Sequence, residues 1–290
     1  MSVSMSAASA PRQFTIASYN TLNLFDNIDD PDKKDEGTKP KSAESEAALA
    51  EVIRTSEADV IALQEVENIE ILKQFRDQQG LAKEYPHVVL VEGNDKRGID
   101  VALLSKHPIE SVVSHKDTRF PVPGEKEDGH FLRDLLQADV TMPGNYPVRI
   151  FVAHLASKMG GERSDILREA EAKAAREIIK RETATFPNQS YVVLGDFNDT
   201  PDSPSVKALT TEDRSGWALQ DTFAEQPEAV SYPTREKTAE KWGYKKIDHI
   251  LASPALAELA TESRVHHHPK DEVASDHWMV STTFTLPQSA

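Results

Sequence analysis

Several apolar runs in this chain end on side chains that can do chemistry. "YVVLGDFNDTP" (191–201) closes on Asp196, Asn198 and Asp199, "FVAHLASK" (151–158) on His154, Ser157 and Lys158, and "ASDHWMV" (274–280) opens on Asp276 and His277. "SYNTLN" (18–23) brings Asn20 and Asn23, "LQEVEN" (63–68) brings Glu65, and "KKIDHIL" (245–251) brings Asp248. Taken singly, each has a plain explanation: Asp and Asn are good turn residues ahead of Pro201, and a polar group inside a strand can belong to a structural ion pair. Taken together they hold carboxylates for a hard cation, amides that bind metal or phosphate oxygens, and two histidines able to move protons. There is no cysteine, and neither "GERSDI" nor "LASPA" has the strand-to-helix G-x-S-x-G arrangement of an activated serine. The inventory suits attack of water on a phosphorus centre beside Mg²⁺ or Mn²⁺, with Ca²⁺ a further candidate.

These residues need rigid supports. "FTIASYN" (14–20) alternates like a strand, and "DVIALQEV" (59–66) is a near-continuous apolar run, as in a strand covered on both faces. Further strands are predicted at 88–91, 99–104, 134–140, 148–154, 191–195, 247–251 and 278–285, and helices at 42–57, 68–79, 162–183 and 204–210. The Arg and Lys residues of 162–183 are interleaved with Glu and read as a solvated face with i,i+4 pairs. Asp196 and Asn198 are two apart, so an extended backbone turns both to one side. Gly195 permits close approach or an unusual backbone angle, and Asp199 and Pro201 turn the chain. Irregular alternation of strands and helices points to mixed sheets in an α+β fold rather than βαβ repeats.

The chain has 290 residues, 33 Lys and Arg against 48 Asp and Glu, and a formal charge of −15. So acidic a chain is not expected to grip nucleic acid through a broad basic surface; it is compatible with phosphoester chemistry in which bound cations supply positive charge. No strip of interleaved aromatic and basic residues is expected either. The start, "MSVSMSAASAPRQ", lacks an apolar signal-peptide core, and no apolar run reaches membrane-spanning length. Cytoplasmic location is expected, or secretion if a signal peptide was removed. Residues 1–13 read as a flexible leader, 14–287 as one domain, and the charged stretch 26–41 as an exposed loop. "RVHHHP" (264–269) points its histidines in different directions, so one shared ion is not expected.

The motifs "SYNTLNLFD", "LQEVEN", "RGIDVALLSKHP", "FVAHLASK", "LGDFND", "KIDHILAS" and "SDHWMV" together resemble the endonuclease/exonuclease/phosphatase superfamily, from about Phe14 to Leu286 and in the family's order. "NLFD", "LQEVEN" and "HLASK" before an Arg-bearing helix most resemble its bacterial nuclease-like branch. The resemblance implies a four-layer α/β/β/α sandwich of DNase I type, with the site at one edge of two packed sheets. It implies that Glu65, helped by Asn20, binds metal, and that Asp276 completes or supports that site. Asp196 would orient or deprotonate water, Asn198 would hold a phosphate oxygen, and His154 would donate to a phosphoryl oxygen. His277 would be a general acid or base oriented by Asp248. Asn23, Lys158 and Arg168 are candidate phosphate contacts. Relatives often carry an acidic residue at the position of Leu22, so a second metal is not implied here; they also often carry polar groups at Ala153 and Ala156.

Three functions follow in order of preference: a metal-dependent phosphodiesterase acting as a nuclease; the same chemistry on a lipid head group or small phosphoester; and an inactive binding member, disfavoured because the whole catalytic set is present. Oligomeric state is not legible in the sequence.

Overall fold

The strands that read as continuous apolar runs are central strands of two six-stranded mixed sheets in the computed structural model, which describes residues 12–287. One sheet runs Ala260–Val265 (β11), Val280–Thr285 (β12), Gln13–Leu24 (β1), Val60–Val66 (β2), Asp100–Ser105 (β4) and His87–Leu90 (β3). The other runs Ile109–Ser114 (β5), Leu136–Met142 (β6), Tyr146–His154 (β7), Tyr191–Asp196 (β8), Asp248–Ala252 (β10) and Gln220–Asp221 (β9). Helices Ala43–Ser56 (α1) and Ile69–Gln78 (α2) cover the first sheet, and Glu162–Thr183 (α3) and Pro204–Thr210 (α4) the second. Short helices Glu236–Trp242 (α5), Pro254–Ala257 (α6) and Asp271–Ala274 (α7) lie in connections. The layers are α/β/β/α, as expected.

Alternation along each strand assigns side chains to layers. Phe14 and Ile16 of β1, Val60 and Ala62 of β2, Val152 of β7, Leu194 of β8 and Ile250 of β10 fill the seam between the sheets. Their neighbours Ala17, Tyr19, Ile61 and Leu63 turn outward onto Leu49, Ile53, Leu72 and Phe75 of α1 and α2. Phe151 and Val193 turn outward onto Ala172, Ala175 and Ile179 of α3. Side-chain caps fix the helix starts: Ser42 accepts from Ser45 N at 3.1 Å, and Asn68 Oδ1 accepts from Ile71 N at 2.9 Å.

Strands β5, β9 and β11 are not legible as apolar runs, and all lie at or toward sheet edges. An edge strand needs only one partner and half-buries its side chains. β1 begins at Gln13, while residues 1–11 of the expected leader lie outside the described residues. Residues 26–41 form neither helix nor strand, although Asp35 is buried there and accepts from Asp30 N at 3.2 Å. Among the described residues no helix is long and apolar enough to cross a membrane.

Strand direction explains why the polar residues meet. β1 is parallel to β2, β7 is parallel to β8, β12 is antiparallel to β1, and β10 is antiparallel to β8. The C-terminal ends of β1, β2, β7 and β8 and the N-terminal ends of β10 and β12 therefore share one end of the sandwich. Gly195 lets β8 run close beside β7 there. Its φ is +144°, and a Cβ would lie 1.8 Å from Ala153 O. Gly195→Ala is expected to lose about 3 kcal/mol or more of folding free energy in urea denaturation; a loss under about 1 kcal/mol would show that the strands can part freely.

Candidate active site

The apolar seam ends in polar residues that continue the same alternation. Val152 is followed two residues on by His154, Leu194 by Asp196, and Asp248 precedes Ile250 by two. His154, Asp196 and Asp248 are register partners across β7, β8 and β10. From the other sheet, Asn20 continues the row of Phe14 and Ile16. Its Nδ2 donates to Asp196 Oδ2 at 3.1 Å, joining the two sheets at the site.

Asp196 is the centre of the cluster. Besides Asn20, Oδ2 faces His154 Nε2 at 3.5 Å and His277 Nε2 at 3.8 Å, while Oδ1 accepts from Asn198 N at 2.8 Å. His277 Nδ1 lies 2.8 Å from Asp248 Oδ2, and Tyr232 covers the imidazole at a 4.9 Å ring separation. Asp196, Asp248, His154 and His277 are all buried. Burial pushes the Asp196 carboxyl up to about 7 against the pull of His277. Burial alone would push His277 down, but the Asp248 and Asp196 carboxylates outweigh it and hold the imidazole well above its ordinary range. Burial, Arg133 and His277 hold His154 well below its own. One histidine is thus kept protonated and the other neutral, a few ångströms from a carboxyl near its titration point.

Beside this cluster, β1 and β2 both break register, between Asn20 and Leu24 and between Gln64 and Val66. Leu22, Asn23 and Glu65 have φ of +52°, +56° and +63°, unusual for residues with side chains. The breaks redirect Glu65 so that its Oε2 accepts from Asn23 N at 3.1 Å. Lys41 Nζ ties the same turn by donating to Thr21 O at 2.7 Å and Leu22 O at 3.2 Å. Burial pushes Lys41 down to about 8, opposed by Asp276 and Glu65. Glu65 and Asp276 therefore both act on Lys41 beside this turn, and Asn20 Oδ1 accepts from Leu22 N at 2.9 Å.

Several sequence expectations need correction. Asn198 has φ +54° and lies past the end of β8, so it does not share a face with Asp196 through extended backbone. Its Nδ2 donates to Leu155 O at 3.0 Å, and its backbone N–H holds Asp196. Arg168 is not a phosphate contact: it is fully buried, with Nε on Asp199 Oδ2 and NH1 on Ala156 O, both at 3.0 Å, and NH2 on Asp165. Lys158 lies 2.6 Å from Asp199 Oδ1. Asp199 is therefore a buried acceptor for two cations and for Ser205 Oγ at 2.9 Å, more than a turn residue. The charged face of α3 is solvated at the Glu169–Lys173 pair, but Arg168 and Glu171 are buried and Arg176 reaches Thr211 O and Trp217 O at 3.0 Å. The three adjacent histidines diverge, His266 to Ser281 Oγ at 2.8 Å, His267 onto the Trp278 ring, and His268 toward Glu51 at 3.6 Å.

Sequence reasoning missed Arg133. It is buried, its Nε lies 3.0 Å from Asp95 Oδ2 without hydrogen-bond alignment, and its NH1 has no hydrogen-bond partner. Its charge reaches His154. The signal available was an arginine just ahead of the apolar β6, inside "HFLRDLLQAD". It also missed Glu171, whose carboxylate accepts from Leu132 N at 3.0 Å and Ala156 N at 2.8 Å and so fixes two loops beside the site.

The family model described as the endonuclease/exonuclease/phosphatase family matches residues 15–281. The chain belongs to that family. Its members are phosphoester hydrolases. A curated relative is the inositol phosphosphingolipids phospholipase C of Saccharomyces cerevisiae, 29% identical over 163 residues, 53% of this chain and 32% of the relative. This chain thus matches about a third of that enzyme's length. The endonuclease/exonuclease/phosphatase structure from Beutenbergia cavernae is 19% identical, with a TM-score of 0.62 over 95% of this chain and 72% of that one. The human Nocturnin catalytic domain with bound sulfate is 15% identical, with a TM-score of 0.64 over 96% of this chain and 97% of that one. At these identities the two structures show a shared fold.

Two outcomes follow from these buried charged side chains. Arg168→Met takes the buried cation from Asp199, leaving it to Lys158 and Ser205, and frees Ala156 O; it is expected to cost about 3 kcal/mol in urea unfolding, and full stability with a raised KM would restore the phosphate-contact assignment. Burial raises Glu171 from 4.5 to about 7, opposed by the Leu132 and Ala156 N–H groups. Folded protein therefore holds a proton that the unfolded chain has released, and stability falls as pH rises through that window, then levels off. Glu171→Gln is expected to flatten this decline in unfolding experiments between about pH 5 and 7.5; an unchanged slope would assign the decline to other groups.

Proposed function

We propose that this chain is a divalent-metal-dependent phosphodiesterase acting on nucleic acid. One observation carries the chemistry: Asn20, His154 and His277 converge on Asp196 Oδ2 at the mouth of the sheet seam, with Asp248 behind His277. Asp196, raised to about 7 by burial, is placed to accept a proton from water. Neutral His154 offers an N–H to a phosphoryl oxygen, and protonated His277 donates to, or stabilises charge on, an oxygen of the transition state. The backbone N–H of Asn198 keeps Asp196 aimed, and Asp248 orients protonated His277 by accepting from Nδ1. Arg133, with NH1 lacking a hydrogen-bond partner, is a further donor for a phosphate oxygen.

Asp196, Asp248 and His277 offer ligand atoms within 4.8 Å of one another. Two of them are hydrogen-bonded to each other and all are buried, which suits a proton relay better than an ion cage. The all-oxygen set of Glu65, Asn20 and Asp276 fits Mg²⁺ or Mn²⁺ better, because hard cations take carboxylate and amide oxygens. A cation held there would neutralise charge on the phosphoryl oxygens. The match to the yeast phospholipase C supports a second reading, in which the phosphodiester belongs to a lipid head group.

Bis-p-nitrophenyl phosphate and oligonucleotides are expected to be hydrolysed with Mg²⁺ or Mn²⁺ and spared with chelator. His277→Ala is expected to lower kcat by about 100- to 10,000-fold. Mn²⁺ is expected to raise the unfolding midpoint of the wild-type protein and not that of Glu65→Ala. Wild-type turnover in folded His277→Ala, or an undiminished Mn²⁺ shift in Glu65→Ala, would reject these roles. Lipid head-group cleavage far faster than strand cleavage would favour the second reading.

A further inference from the structure

The expectation that this chain has no interleaved aromatic and basic strip fails at residues 232–245, which lead through α5 back toward β10. This segment alternates Tyr232, Trp242 and Tyr244 with Arg235, Lys237, Lys241 and Lys245, against only Glu236 and Glu240. It is a cationic stretch in a chain of net charge −15. Trp242 and Tyr244 are 54% and 53% exposed and belong to none of the hydrophobic core clusters, so core packing does not account for them.

The rings are ordered relative to the candidate active site. Tyr232 lies 4.9 Å from His277, and it exchanges backbone hydrogen bonds with Lys245, at 3.0 Å from its own N–H and 2.7 Å from that of Lys245. That pairing brings Tyr244 back beside Trp278, the residue after His277. The Tyr244 and Trp278 rings stack at 6.0 Å with 30° between planes, and His267 meets Trp278 edge-on at 5.0 Å. Lys241 Nζ lies 4.7 Å from the Trp242 ring centre. Tyr232, Trp278 and Tyr244 therefore lead outward from the site, and exposed Trp242 lies two residues before Tyr244 with exposed Lys241 beside it.

Building on the phosphodiesterase reading, we infer that Trp242 and Tyr244, with Trp278 behind Tyr244, form a stacking subsite for the bases of a single-stranded nucleic acid whose phosphodiester lies at Asp196 and His277. Every base offers a π-face, so such a platform is tolerant of sequence. Arg235, Lys241 and Lys245 complement the phosphates between bases, giving locally the attraction that the chain as a whole lacks. A duplex hides its base faces, so the platform selects strands that are unpaired or frayed.

The test compares fluorescein-labelled oligothymidylate with an abasic tetrahydrofuran strand of equal length, by anisotropy with EDTA at low salt. Wild-type protein is expected to bind the base-bearing strand about tenfold more tightly, within the range for a stacked base. The Trp242→Ala/Tyr244→Ala double variant is expected to lose this preference while keeping its circular dichroism spectrum, and Tyr244→Phe, which keeps the ring, to retain it. Equal wild-type affinity for the two strands, or an undiminished preference in the double variant, would overturn the subsite. So would flotation with phosphatidylglycerol vesicles that needs both rings, in the absence of any strand preference. Hydrolysis of bis-p-nitrophenyl phosphate by wild-type protein with Mn²⁺ separately tests the phosphodiesterase reading, and its failure would leave the strand comparison decisive for the platform.

Discussion

A carboxylate buried where two sheets meet is the constraint around which this structure is organised. Asp196 sits at the end of an apolar seam, and a charge there is costly without partners. Its partners come from separate parts of the chain: Asn20 from one sheet, His154 from the neighbouring strand, His277 from the approach to β12, and the Asn198 N–H from its own turn. Satisfying this group requires the register of β7, β8 and β10 and the packing of β1 across the seam. The fold and the proposed chemistry therefore depend on the same polar contacts. Apolar burial holds the sheets together, while Asp196 specifies how their ends must meet.

Much of this was legible because the central strands are covered on both faces and write themselves as apolar runs. β2, β7 and β8 fall within a residue or two of their expected ranges, and α3 and α4 match theirs. The edge strands β5 and β11 were illegible, since half-buried sequences such as "ATESRV" resemble exposed loop. At the site, the residue types were readable from strand ends, but their directions were not. Spacing by two put Asn198 and Asp196 on one face only if the backbone stayed extended, and the left-handed turn at Asn198 breaks that premise. Arg168 and Asp199 looked like surface charge and turn because each buried ion needs a partner distant in sequence, 31 residues away in this case.

Charge is distributed by role rather than by average. The net charge of −15 describes the whole chain, while the residues around the cleft include Arg133, Lys41 and the cationic 232–245 segment. Acidic composition argues against a general nucleic-acid grip, yet it leaves room for a short cationic path on one wall. Within the site, burial lowers both histidines, and the Asp248 and Asp196 carboxylates reverse this at His277 alone, so that two groups of one type are held in opposite states a few ångströms apart.

The Asp199 clamp and the α5 segment are parts of different character. On one side Arg168, Lys158 and Ser205 all hold Asp199, and Glu171 fixes the loops at Leu132 and Ala156. On the other, α5 and its flanks place no residue in the cores and present their rings to solvent. Substitutions in the first set would disturb the loops that flank Asp196, whereas Trp242 and Tyr244 can change without opening a core. Variation in what those exposed rings contact can therefore leave the packing around Asp196 unchanged.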